Sequence, residues 1–203
     1  MKKMKSIGRP REFDRDKALH RAMELFWKQG YEATTLADLQ QVMGDITPPS
    51  FYAAFGSKET LFREAVELYK QIQGAPIAKA LAEGPTARAS IEAFLRAAAE
   101  TFCQPGRPRG CMMLLSGVNC LRANKGIEDF MGEQRSVRDK IIRKRLRQGI
   151  TEGDLSKGAD LDSLVLFYAA VADALALRAR DGASRKALAG IVDYAMAAWE
   201  KVV

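Results

Sequence analysis

Apolar residues recur at three- and four-residue spacing along nearly the whole chain, with no convincing period-two run, so the pattern predicts an all-α protein. Asp14 can cap a first helix whose Ala18, Leu19, Ala22, Met23 and Phe26 form one stripe, and Gly30 is placed to stop it. Thr35, with Asp38 three residues on, has the form of a capping box and opens a short helix through Leu36, Leu39, Val42 and Met43 to Gly44. After the turn Gly44-Asp45-Ile46, Thr47 caps a third helix that carries Phe51, Tyr52 and Phe55. Pro48 and Pro49 fall in its first turn, where a missing N–H leaves no intrahelical bond unmade. Ser57 caps a fourth, with Leu61, Phe62, Ala65, Val66, Tyr69 and Ile72 in register until Gly74 and Pro76 interrupt.

Beyond Gly84-Pro85 the periodic segments lengthen. Thr86 caps a helix carrying Ile91, Phe94, Leu95, Ala98 and Phe102, and the run Gln104-Pro105-Gly106-Arg107-Pro108-Arg109-Gly110 reads as a loop. Further helices are predicted over Cys111 to Leu121, Gly126 to Ile150, Asp160 to Arg180 and Arg185 to Val203.

The pair of short helices joined by a tight turn, Thr34 to Gly44 and Thr47 to Phe55, carries the functional signal. A helix-turn-helix lays its second helix in the major groove of DNA, so small or polar residues are needed at that helix's start. Thr47, Pro48, Pro49 and Ser50 meet the need: the backbone can come close, Ser50 can hydrogen-bond a base edge, and the prolines can touch a thymine methyl. Tyr52 and Lys58 can hold phosphates, as can Thr35 at the N-terminus of the preceding helix. Taken singly, these are an ordinary cap, a core aromatic and a solvated lysine. Their order favours the functional reading.

That order, Thr34-Thr35-Leu36-Ala37-Asp38-Leu39, then Gly44, then Ile46-Thr47-Pro48-Pro49-Ser50-Phe51-Tyr52, then Phe55 and Ser57-Lys58-Glu59, resembles the DNA-binding head of TetR-like transcriptional regulators, over about residues 8 to 70. The leading Gly8-Arg9-Pro10-Arg11 looks like the basic arm often seen there. The resemblance implies a three-helix head, a larger helical ligand-binding body, and a homodimer formed through the two C-terminal helices. Carried over by position, Thr47, Tyr52 and Lys58 match phosphate-gripping places, while Pro48, Pro49 and Ser50 match places that face bases. Two departures stand out. Asp45 is one residue extra in the turn, and Ala53-Ala54 replace a histidine or tyrosine that often adds a phosphate contact. The implied division is a basic flexible arm (1–12), a helix-turn-helix domain (13–56) and a helical ligand-binding and dimerisation domain (57–203). The implied mechanism is a repressor released from a near-palindromic operator by a small-molecule effector.

Charge changes this picture only in part. The net charge of +7 suits an acidic partner such as double-stranded DNA. Residues 1–21 hold eight Lys/Arg against three acids, whereas residues 22–60 hold two against five. Binding would then lean on Arg9 and Arg11, reaching from the arm into the minor groove, and on backbone and helix-dipole contacts. A second basic run, Arg135 to Arg147, has seven Lys/Arg against one acid and reads as a solvated face opposite Val137, Ile141, Ile142 and Leu146.

Candidate catalytic chemistry is sparse: one histidine, His20, and neither a nucleophile elbow nor a phosphate-binding glycine loop, so no enzyme, metal or cofactor is expected. The basic start is followed by no apolar run of signal-peptide or membrane-span length, which predicts a cytoplasmic chain with no membrane partner. Cys103, Cys111 and Cys120 lack metal spacing and are expected as reduced thiols. Cys111, just after Arg109-Gly110 at a predicted helix start, is a candidate thiolate for redox or electrophile sensing. The remaining alternative is a helical small-molecule carrier or interaction module. Candidate ligand-pocket residues are Phe94, Phe102, Cys111, Met112, Met113 and Phe167, although such a stripe also serves as core. Candidate dimer-face residues are Leu164, Tyr168, Val171, Leu175, Ile191, Tyr194 and Trp199, too many large apolar groups for one solvent-facing helix pair.

Overall fold

The computed structural model describes residues 13–117 and 120–199. Among them there is no β-strand. Ten α-helices run in order: α1 Arg15–Ala33, α2 Leu36–Val42, α3 Pro48–Phe55, α4 Lys58–Tyr69, α5 Ala75–Glu83, α6 Ala87–Phe102, α7 Met112–Leu115, α8 Lys125–Glu152, α9 Leu161–Arg180 and α10 Arg185–Ala197. The caps named from the sequence are made: Asp14, Thr47, Ser57 and Thr86 each accept from the backbone N–H three residues on, and Thr35 with Asp38 completes a capping box.

Three expectations about element bounds need correction. Gly30 does depart from helical geometry, with φ 81° and ψ 172°, but the chain then resumes a last turn to Ala33. That detour sets Tyr31 against Phe26 and Phe62 and lets its N–H donate to the Ser116 carbonyl. Gly74 and Pro76 do not end the fourth helical run either. A π-helical turn, Lys70–Gly74, leads straight into α5. Pro76 has no N–H to give, and a register shift of this kind carries a helix past a missing donor. Finally, the helix predicted from Cys111 to Leu121 is only the single turn α7. Ser116 is spent on the head, its hydroxyl donating to the Phe26 carbonyl, and Gly117 lies so close to Met131 that a Cβ would collide with it.

Two buried clusters result. The first joins α1–α4 around Phe26, Trp27, Phe51, Phe55, Phe62 and Tyr69, and also takes Met112 from α7 and Ile127 and Met131 from α8. The second joins α5, α6, α8, α9 and α10 around Ile91, Leu95, Leu146, Tyr168 and Leu175. Burying such aliphatic and aromatic side chains contributes about 1.5–3 kcal/mol each. The inward face of α4 thus packs with the head, so the division between cores does not fall at residue 56. Arg145 is buried beside the second cluster, donating to the Ser90 hydroxyl and the Gly84 carbonyl and pairing with Glu152.

Candidate nucleic-acid interface and body cavity

The head is built to hold α3 firmly and present one side of it. Phe51 and Phe55 are buried, which fixes the helix by its inner face. Arg15 adds an outer strap: its guanidinium lies 4.7 Å over the Phe55 ring, donates to the Ala54 carbonyl and pairs with Glu64 on α4. The turn before α3 is fixed by the Gln40 amide donating to the Ile46 carbonyl. Gly44 and Asp45 both take positive φ, 92° and 59°, so the extra residue is absorbed by two successive left-handed residues.

On the outer side, Thr47, Pro48, Pro49 and Ser50 are all exposed, and Tyr52 is 52 % exposed. The Thr47 and Ser50 hydroxyls lie 2.9 Å apart, and Thr35 is exposed at the start of α2. Lys58 is half-buried, its ammonium 4.2 Å from the centre of the Tyr31 ring, and burial holds its pKa below the usual lysine value. Of the seven head residues named from the sequence, six are therefore open to solvent and Lys58 is half-buried. Arg9 and Arg11 lie outside the described residues.

The body holds a partly open cavity of about 280 Å³ between α4, the π turn, α5, α6, α7, α8 and α9. Its walls are mostly apolar, from Ile77, Leu81, Phe94, Ala98, Phe102, Leu114, Val137, Ile141 and Ala172. Its polar edge is made by Tyr69, Lys70, Cys111, Gln134, Arg135, Arg138 and Asp173. Of the candidate pocket residues, Phe94, Phe102, Cys111 and Met113 line it. Met112 does not: α7 turns it the other way, fully buried in the head cluster. Phe167 does not either, being 43 % exposed on the outer face of α9. Tyr69, Arg138 and Asp173 were missed because each sits on a helix whose apolar stripe announces only a core, and the cavity exists only once seven elements meet.

The surroundings of Cys111 do not favour the candidate thiolate. The Arg109 guanidinium points away from it, donating to the Ala179 and Ala183 carbonyls and the Cys103 sulfur. Burial pushes the Cys111 thiol up, outweighing the Tyr69 hydroxyl, the Leu114 and Met113 amides and Arg138, which favour the thiolate. The basic run on α8 is not wholly solvated: Arg138 pairs with Asp173, Arg143 with Asp162, and Arg145 is buried.

The dimer face also needs correction. Leu164, Tyr168, Leu175 and Trp199 are buried within the single chain, as part of the second cluster. Val171 and Ile191 are half-buried, and Tyr194 is 85 % exposed. The outward faces of α9 and α10 instead carry Leu166, Phe167, Leu177 and Tyr194. One face of each helix was needed for the core, and the sequence pattern, apolar on several sides, does not say which.

Among the described residues, no helix is long and apolar enough to cross a membrane, and no three His, Cys, Asp or Glu side chains group as a metal site.

Comparison with known proteins agrees with this geometry. Residues 18–65 match the family model described as bacterial regulatory proteins, tetR family. The chain is 30 % identical over 200 residues to the HTH-type transcriptional repressor ComR of Escherichia coli K12, covering 98 % of this chain and 95 % of that one. A solved structure of the TetR family transcriptional regulator CifR, a cysteine mutant complexed with 26-bp double-strand operator DNA, superposes with a TM-score of 0.89 at 40 % identity, over 94 % of this chain and all of that one. A TetR transcriptional regulator from Chloroflexus aurantiacus shares the fold at 22 % identity and a TM-score of 0.80, over 92 % and 94 % of the two chains. An exposed, firmly held third helix in a three-helix head, a helical body with a cavity, and near full-length similarity to the repressor ComR and the regulator CifR together place the chain in the tetR family of bacterial regulatory proteins.

Proposed function

We propose that this regulator binds a near-palindromic operator as a homodimer and leaves it when a small molecule fills the body cavity. The observation that carries the DNA reading is the leading turn of α3: four exposed residues, Thr47 to Ser50, on a helix whose opposite side is anchored by Phe51 and Phe55. In this reading Pro48, Pro49 and Ser50 face bases, and Thr35, Thr47, Tyr52 and Lys58 meet phosphates, with Arg9 and Arg11 adding contacts from the arm. Lys58 must leave its seat over Tyr31 to do so. In this reading the DNA-contacting arm and head are residues 1–12 and 13–56, and α4, the first helix of the 57–203 body, packs into the head's core and serves as the connector. Two copies would join through the outward faces of α9 and α10, where Leu166, Phe167, Leu177 and Tyr194 leave apolar surface open to a partner.

The link between cavity and head is short. Cys111, Met113 and Leu114 line the cavity, and the same segment is bonded to α1: the Trp27 indole donates to the Gly110 carbonyl, and Tyr31 and Ser116 exchange bonds with that segment and α1. Tyr69, at the end of α4, lines the cavity and packs edge-on against Trp27 with ring centroids 4.9 Å apart. A ligand that spreads these elements would bind better to a dimer with wrongly spaced heads, and so would release DNA.

Selection of duplexes from a random pool by the full chain tests the DNA reading. A defined near-palindrome with a steep fall in affinity as salt rises is the expected result. Enrichment of no sequence would sink it and favour a ligand carrier.

A further inference from the structure

The Tyr69 hydroxyl is a buried donor without a protein partner. Tyr69 is only 2 % exposed and its oxygen makes no hydrogen bond among the described residues, although Tyr69 lines the cavity beside Cys111. The hydroxyl faces the Cys111 thiol and the Met112 amide without completing a bond of ordinary geometry to either. Buried polar groups are nearly always satisfied, and an orphan aimed into a cavity asks for an acceptor from outside the chain.

The other polar groups around the cavity are already engaged. Lys70 donates to Glu67 and Gln134, Arg138 pairs with Asp173 and Asp139, and Arg135 donates to the Met113 carbonyl. Among the described residues that line the cavity, Lys70 and Arg138 are already paired with carboxylates, Arg135 is turned to the Met113 carbonyl, and the remaining walls are aliphatic and aromatic. Burial keeps Tyr69 protonated well above the ordinary tyrosine range, with the neighbouring Cys111 acting in the same direction. It is therefore a donor at any physiological pH. The volume, about 280 Å³, is near the lower end of small-molecule pockets.

We propose that the effector is a small neutral molecule with an apolar body and one oxygen acceptor, seated so that this oxygen takes the Tyr69 O–H hydrogen bond. Ketones, aldehydes, esters and ethers of modest size fit; carboxylates and pure hydrocarbons do not. This rests on the reading of the cavity as the effector site. It adds the anchor, and it explains how occupancy is felt by the head, since Tyr69 touches Trp27 of α1 directly.

Isothermal titration of the full chain, without DNA, with three similarly sized probes tests it: acetophenone, α-methylstyrene, in which a CH2 replaces the oxygen, and benzoate. Acetophenone should bind about 5-fold or more tightly than α-methylstyrene, as one net hydrogen bond requires, and benzoate more weakly than either. In Tyr69→Phe the preference for acetophenone should vanish. That variant loses only an unpaired hydroxyl, so its thermal midpoint should not fall. Equal binding of acetophenone and α-methylstyrene to the native chain, tightest binding of benzoate, no binding of any probe at millimolar concentration, or an unchanged preference in Tyr69→Phe would overturn the proposal. Acetophenone bound in the expected way without release of a selected duplex would leave the anchor standing and count against effector-driven release instead.

Discussion

At the scale of single residues, Tyr52 and Arg145 illustrate two kinds of consequence. Tyr52 is half exposed beside the leading turn of α3 and packs edge-on against buried Phe51 with centroids 5.5 Å apart. If it grips a phosphate, Tyr52→Ala should weaken binding to all duplexes by about 10-fold, without changing which sequence is preferred. Fluorescence anisotropy on matched and mismatched duplexes reads this, and thermal stability should barely move. Arg145 is the reverse case. Only 6 % exposed, it satisfies Ser90, Gly84 and Glu152 at once. Arg145→Ala should cost about 3–5 kcal/mol in urea denaturation, because those groups lose their partner. The head residues were legible from the sequence because each has a local reason to be there: a cap, a proline at a helix start, a small residue on an outer face. Arg145 was not, since a basic residue in a basic run gives no sign that Gly84 and Ser90 will close over it.

At the scale of elements, the helix caps predict a dependence on acid. Asp38 lies below the usual carboxylate range, chiefly through its hydrogen bond with the Thr35 side chain. Asp14 and Asp160 are lowered in the same way, by Lys17 and by Ser163. A depressed folded-state pKa means that the contribution to stability is complete above the ordinary value of 3.8 and is lost as pH falls below it, through the folded pKa. Thr35→Val removes the cap's hydroxyl, so urea midpoints measured from pH 6 down to 2 should fall less steeply on the acid side than in the native chain. An unchanged acid limb would show that Asp38 owes nothing to that hydroxyl. Helix starts were readable because Ser, Thr and Asp mark them. Helix continuations were not: the π turn past Gly74 and the shortening of α7 are both imposed by tertiary partners, the latter by the bonds Ser116 makes to α1.

For the whole molecule, simultaneous entry of two α3 helices into one duplex requires two copies. The chain keeps Leu164, Tyr168, Leu175 and Trp199 for its own core and leaves Leu166, Phe167, Leu177 and Tyr194 outside. Phe167→Glu should therefore shift sedimentation from dimer to monomer and abolish tight operator binding, while circular dichroism stays helical. A stable dimer in that variant would place the interface elsewhere. The apolar periodicity of these two helices foretold burial but not its allocation between core and partner, because a face covered by the same chain and one covered by a second copy carry the same residues. The cavity was the least legible part, for it depends on how seven elements meet rather than on any of them.

The central claim, that two copies of α3 enter one duplex together, is tested most directly by hydroxyl-radical footprinting of the full chain on the selected operator. Two protected segments are expected on one face of the DNA, their centres about 10–10.5 base pairs apart or a whole multiple of that, both lost together in Phe167→Glu. A single protected segment, or two on opposite faces, would contradict it.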